Sequence, residues 1–142
     1  MEVNKYADFK VGAKASLTRE ITEKDITNFA DITGDFNKIH MNAEFAKKWV
    51  FKNRICHGLF TLSLISKVLL TKLLGHGCVL LQHDIKYLKP VYAGDKITAE
   101  AEIVGKDDKK RLVNLIVNCH NQDNELVLDG NGICKLPDAF FP

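Results

Sequence analysis

The stretch from Leu59 to Leu74 limits what this chain can fold into more than any other. It is apolar at positions 59, 60, 62, 64, 65, 68, 69, 70, 73 and 74. On a helix these positions fall on nearly every side, and a helix that is apolar all round must be enclosed. Ser63, Ser66, Lys67 and Lys72 interrupt the run, which is also shorter than the roughly 20 apolar residues of a membrane span. The pattern therefore predicts a core helix from about His57 to Leu74, closed by Gly75 and Gly77. Something else in the chain must wrap it.

The rest of the chain supplies the wrapping. Val79, Leu81, His83, Ile85 and Tyr87 alternate with Gln82, Asp84 and Lys86, the period of a strand. Pro90 and Gly94-Asp95 mark a bend. Ile97, Ala99, Ala101 and Ile103 then alternate with polar residues, as do Val113, Leu115, Val117 and Cys119. Gln122-Asp123-Asn124 reads as a turn and Glu125 to Leu136 as the last strand. Upstream, Ala13 to Ile21 reads as a first strand. Thr22 with Asp25 forms a capping-box pattern ahead of a helix with an apolar stripe at Ile26, Phe29, Ala30 and Ile32. Gly34 suits its C-terminus, since glycine enters the left-handed region without strain. Asn42 caps a short helix, Ala43 to Trp49, and a loop from Val50 to Cys56 leads into the enclosed helix. The layout that satisfies these signals is α+β: a curved antiparallel sheet wrapped around one helix, which is the hot-dog fold.

Bulk properties narrow the function. The 142 residues suit one domain, 1–142, and the chain is 46% hydrophobic and 27% charged, a globular composition. A formal net charge of +2 does not point to nucleic acid, and the one basic run, Lys109-Lys110-Arg111, sits between strands as a hairpin turn would. Cys56, Cys78, Cys119 and Cys134 form no C-x-x-C pair, which argues against a zinc ribbon or a thioredoxin-type site. The N-terminal MEVNKYADFKVG lacks the apolar run of a secretory signal. Reduced, buried cysteines in a cytoplasmic chain are expected.

The chemistry-bearing segment is Gly34-Asp35-Phe36-Asn37-Lys38-Ile39-His40. It sets a carboxylate and an imidazole five residues apart in a turn, where both side chains can reach one water molecule. Asp35 as a turn cap with His40 on the surface is the plainer alternative. His57-Gly58 opens the enclosed helix. The first N–H groups of a helix lack internal partners and favour negative charge, and glycine admits a ligand close to the backbone. Equally, Gly58 could serve tight packing and His57 a buried polar contact. Cys56-His57 makes a poor nucleophile pair, because adjacent side chains diverge and no third group supports them. His83 reads as a packed core residue. Phe45, Trp49 and Phe51 could line an acyl pocket or belong to the core.

These residues resemble a known family. The Gly34–His40 segment, then Cys56-His57-Gly58 and an apolar helix, then Lys89-Pro90-Val91-Tyr92-Ala93-Gly94-Asp95, is similar to the MaoC-like hydratases. That family includes (R)-specific enoyl-CoA hydratases and 3-hydroxyacyl-thioester dehydratases. The likeness runs from about Phe9 to Leu136. It implies that Asp35 and His40 activate the catalytic water and that the Gly58 N–H binds the thioester carbonyl. It also implies that Asn37 shapes the loop and that His57 and Ser66, eight residues past Gly58 on the buried helix, support the site. Lys38 stands where the family usually has proline, and Asn42 where it usually has aspartate. The implied substrate is an acyl thioester of coenzyme A or acyl carrier protein, with no metal, no redox cofactor, no nucleic acid and no membrane. A homodimer is implied too. A hot-dog thioesterase, or a non-catalytic acyl-thioester-binding module, would share the fold; the Asp35-to-His40 spacing favours the hydratase.

Overall fold

The computed structural model describes residues 4–136, so the ends of the expected 1–142 domain lie outside the described residues. Five strands form one antiparallel sheet: β1 (Lys14–Glu20), β2 (Val79–Tyr87), β3 (Lys96–Asp107), β4 (Leu112–His120) and β5 (Leu126–Lys135). Their spatial order is β1-β3-β4-β5-β2, which leaves β1 and β2 at the edges. The helices are α1 (Glu23–Thr33), α2 (Lys38–Met41), α3 (Ala43–Lys48) and α4 (Gly58–Val68). The enclosed helix runs on beyond Val68 as a widened π turn, Leu69–Leu73, before Gly75 (φ 80°) ends it. This is the hot-dog arrangement.

The alternation in β3 and β4 does what its period requires. Ile97, Ala99, Ala101 and Ile103 are fully buried, and so are Val113, Val117 and Cys119 across the ladder. Two of the β3 residues are alanines, so the sheet offers little bulk under α4 and the helix can sit close. From α4, Leu64, Ile65, Val68 and then Leu69 fill that face. Each such side chain contributes about 1.5–3 kcal/mol by leaving water.

Two expectations need correction. The helix is not enclosed by its own chain: Leu59 and Leu70 are exposed, with Ser63 and Ser66 between them on the same stripe. Of the positions of β2 that read as inward, Val79, Leu81 and Tyr87 are exposed, and so are Leu80 and, just past the strand, Leu88. The reason is topological. β2 is an edge strand, and only β5 pairs with it. Among the described residues no helix is long and apolar enough to cross a membrane.

The turns match their residues. Thr22 and Asp25 form the reciprocal capping box of α1 (Oγ1 to Asp25 N–H, 3.1 Å; Asp25 carboxylate to Thr22 N–H, 2.9 Å). Gly94 takes φ 94°, and the Asp95 carboxylate accepts the Tyr92 N–H at 2.9 Å. That turn fixes Val91, whose carbonyl accepts the Cys56 N–H at 2.7 Å just ahead of α4.

Candidate functional site

Gly34 ends α1 in the left-handed region (φ 76°), its N–H bonded to the Ala30 carbonyl at 2.8 Å. The chain then turns twice on short polar side chains. The Asp35 carboxylate accepts the Asn37 N–H at 3.2 Å, and the Asn37 side chain accepts the Ile39 N–H at 3.2 Å, capping α2. Asn37 thus ties the loop to the start of α2. His40, expected in a turn, lies instead on this one-turn helix. Lys38 occupies its first position, which suits proline equally well, so the N-cap bond holds the geometry that a pyrrolidine ring would otherwise fix. Asn42 caps α3 through the Phe45 N–H at 2.9 Å.

His40 is only 8% exposed, which removes the surface alternative. Its Nδ1 lies 2.8 Å from the Ile55 carbonyl oxygen. A carbonyl can only accept, so Nδ1 carries the hydrogen and Nε2 is the free acceptor. Nε2 stands 3.9 Å from Asp35 Oδ2. That is too long for a direct hydrogen bond and is a span that one water can bridge. Burial pulls the His40 pKa below the ordinary 6.5, and His57 adds to this, while the Ile55 carbonyl and the Asp35 carboxylate oppose it.

His57 joins the pair. It is 2% exposed, its Nε2 lies 2.9 Å from the Asp35 main-chain carbonyl, and its ring stacks on His40 with centroids 3.9 Å apart at 28°. Phe29 covers it from α1 at 4.8 Å. Asp35, His40 and His57 each place one potential metal-ligand atom within 4.8 Å of the others. The two rings are close to parallel, however, so their in-plane lone pairs run side by side instead of converging as a tetrahedral ion needs. Asp35 and His40 can share a water between them, with His57 packed against them.

Beside it lies a cavity of about 500 Å³, with His40, Phe51, Gly58, Tyr87, Pro90 and Val127 in its wall. Gly58 is the first residue of α4, where the N–H has no partner within the helix. Cys56 also reaches the cavity, but burial pushes its thiol up to about 12, which removes it as a nucleophile. Of the three aromatic candidates only Phe51 lines this space. Phe45 and Trp49 pack on one another, and Trp49 is 66% exposed. Ser66 is not brought to the pair: eight residues beyond Gly58 is about 12 Å along a helix, and its side chain faces outward. Tyr87 was missed as a site residue. A Cβ at Gly58 would lie 2.7 Å from its ring. The strand alternation did place it on the same face as His83 and Ile85, a signal read only as packing.

The buried imidazole has a measurable consequence. Its folded pKa is below the unfolded value, so its contribution to stability is present above pH 6.5 and is lost as pH falls through the folded value. An NMR titration of the His40 ring should give a midpoint below 6.5 in the wild type. In Asp35→Asn the midpoint should be lower still, because the attraction of the carboxylate is gone. A wild-type midpoint above 6.5 would contradict the burial argument.

Comparison with known proteins identifies the family. The family model described as MaoC like domain matches residues 7–124. The 3-hydroxybutyryl-CoA dehydratase of Methylorubrum extorquens is 39% identical over 132 residues, covering 93% of this chain and 83% of that protein. The (R)-specific enoyl-CoA hydratase of Rhodospirillum rubrum is 35% identical, over 93% and 91% of the two chains. The unliganded R-hydratase from Pseudomonas aeruginosa superposes with a TM-score of 0.85 at 36% identity, over 93% of this chain and 84% of that one. With a family model over most of its length and relatives above 30% identity spanning nearly all of it, the chain belongs to the MaoC-like family.

Proposed function

We propose that this protein is a hydro-lyase that adds water reversibly to trans-2-enoyl-CoA, giving (R)-3-hydroxyacyl-CoA. The observation that carries this reading is the Asp35 Oδ2–His40 Nε2 pair, 3.9 Å apart, with His40 in the wall of a cavity that also holds the start of α4. The names of the relatives support it.

The chemistry follows from the positions. A thioester carbonyl seated on the Gly58 N–H is polarised by that donor and by the helix dipole. Electron density leaves the double bond, and the β-carbon becomes electrophilic. Water held between Asp35 and His40 attacks it. The new C–O bond forms as one water proton passes to the pair and the carbonyl becomes an enolate. A proton then goes from the pair to the α-carbon on the same face, so one water is added and the pair is restored. The thioester acidifies the α-carbon, so these steps need no cofactor. Coenzyme A and acyl carrier protein present the same thioester, and the site chemistry serves either. Fatty-acid metabolism in the cytoplasm is the setting we infer, supported by four unpaired cysteines.

The working form is proposed as a homodimer. Leu59 on α4, Leu70 in the π turn that continues it, and Leu80, Leu81 and Leu88 on and beside the open edge strand β2 are all exposed apolar residues. Ser66 belongs to that stripe, so its supporting role would be exerted at the seam between copies.

Three outcomes are expected. Asp35→Asn and His40→Gln should each lower kcat for crotonyl-CoA hydration by at least about 10²-fold, with the double variant little worse, since both act on one water. Near-normal turnover by either single variant sinks the assignment. Gly58→Ala should lose about 10²-fold or more if a carbonyl seat is blocked. It also pushes on Tyr87, so Gly58→Ala/Tyr87→Ala relieves the crowding, and recovery of activity in that variant would make the loss a packing effect. Light scattering should give twice the 16.0 kDa chain mass, and Leu81→Glu should reduce it to one chain; a wild-type monomer at micromolar concentration would count against the dimer.

A further inference from the structure

His57 occupies the N-cap of α4, yet its side chain makes no capping bond there. Serine, threonine, asparagine or aspartate would stabilise the helix at that position, and histidine forgoes the gain. The imidazole reaches 22 residues back in sequence instead, to the Asp35 carbonyl. A carbonyl only accepts, so Nε2 carries the hydrogen. Nδ1 is then a bare acceptor, and it is buried without a hydrogen-bond partner. The ring itself lies against that of His40, centroids 3.9 Å apart. One buried side chain therefore touches both members of the acid–base pair, each through a different interaction.

We propose that His57 is a positioning residue for the reaction: its Nε2–H fixes the Asp35 peptide, its ring face fixes the plane of His40, and together these set the gap in which the water is held. The proposal rests on the hydratase reading above. It assigns the two contacts separable roles. Asp35 is half exposed and sits on a loop; among the described residues its carboxylate bonds to the Asn37 N–H and lies 3.9 Å from His40 Nε2. Without the bond from His57, its main chain loses the tie to the start of α4. His40 keeps its bond to Ile55 in any case, but that bond alone leaves the ring free to tilt about it.

Two substitutions separate the contacts. His57→Phe keeps a ring against His40 and removes the donor to Asp35. His57→Gln keeps an N–H near the place of Nε2 and removes the ring. Each should lower kcat by about 10- to 100-fold with KM changed less than about threefold, the scale expected when reacting groups are misplaced by an ångström or less. The cycles should be selective. His57→Phe should cost less than about threefold in an Asp35→Asn background, and His57→Gln less than about threefold in a His40→Gln background. A residue that merely fills space would lower the thermal midpoint and leave the kcat of the folded enzyme unchanged. Turnover within threefold of wild type for a folded His57 variant, or losses that multiply in both cycles, overturns the proposal. If His57→Phe does not fold, the His57→Gln cycle decides alone. Full activity of Asp35→Asn itself would instead refute the hydratase reading.

Discussion

The start of α4 is the fixed point on which the site depends. Its position follows from apolar burial: Leu64, Ile65 and Val68 must lie on β3 and β4, and the small Ala99 and Ala101 let them lie close. A helix set down in this way has a determined first turn. Gly58 therefore arrives at the cavity wall with its N–H unspent, and His57 arrives beneath His40. Burial of the core positions thus places the polar groups.

A second tier of bonds holds the loops to that point. Ile55 gives its N–H to the Ile39 carbonyl at 3.1 Å and takes the His40 Nδ1–H on its own carbonyl. Cys56 N–H bonds to Val91, whose turn is organised by Gly94 and Asp95. Arg54 pairs with Glu23 at the start of α1. The segment before α4 is thereby tied to α1, to α2 and to the bend before β3. Backbone groups in such a segment need partners when buried, and here meeting that need also orients the imidazole. The similarity of the Lys89–Asp95 turn to the family pattern has its physical explanation in this tie.

Much of this was legible in the sequence because it is periodic or local. The strands announced themselves by alternation, α1 by its capping box and Gly34, and the central helix by its apolar run. Asp35, His40 and Gly58 could be named because they lie within short motifs. What escaped was set by tertiary contact. A four-residue helix has no period, so His40 was read in a turn. An apolar residue looks the same whether its own chain or another copy covers it, so Leu59, Leu70 and the inward-reading positions of β2 read as core, and Ser66 on the same helix reads as part of the site. The bridge from His57 to Asp35 spans 22 residues and has no sequence signature at all.

The exposed face and the reacting site are not independent. Leu59, Tyr87 and Leu88 belong to both: they are exposed apolar residues, and they line the cavity. Hydration requires one selected water and a site otherwise short of competing water, because donors and dipoles act more strongly there. In a single chain Tyr87 remains 51% exposed, so the wall above Gly58 is wet. The dimer proposed here would cover these residues while burying the α4 stripe. Association would then dry the carbonyl seat by the same contacts that hold the copies together. His40, already buried within its own chain, would keep its tautomer through the bond to Ile55, so its acceptor nitrogen is set before assembly and the medium around the thioester is set by it.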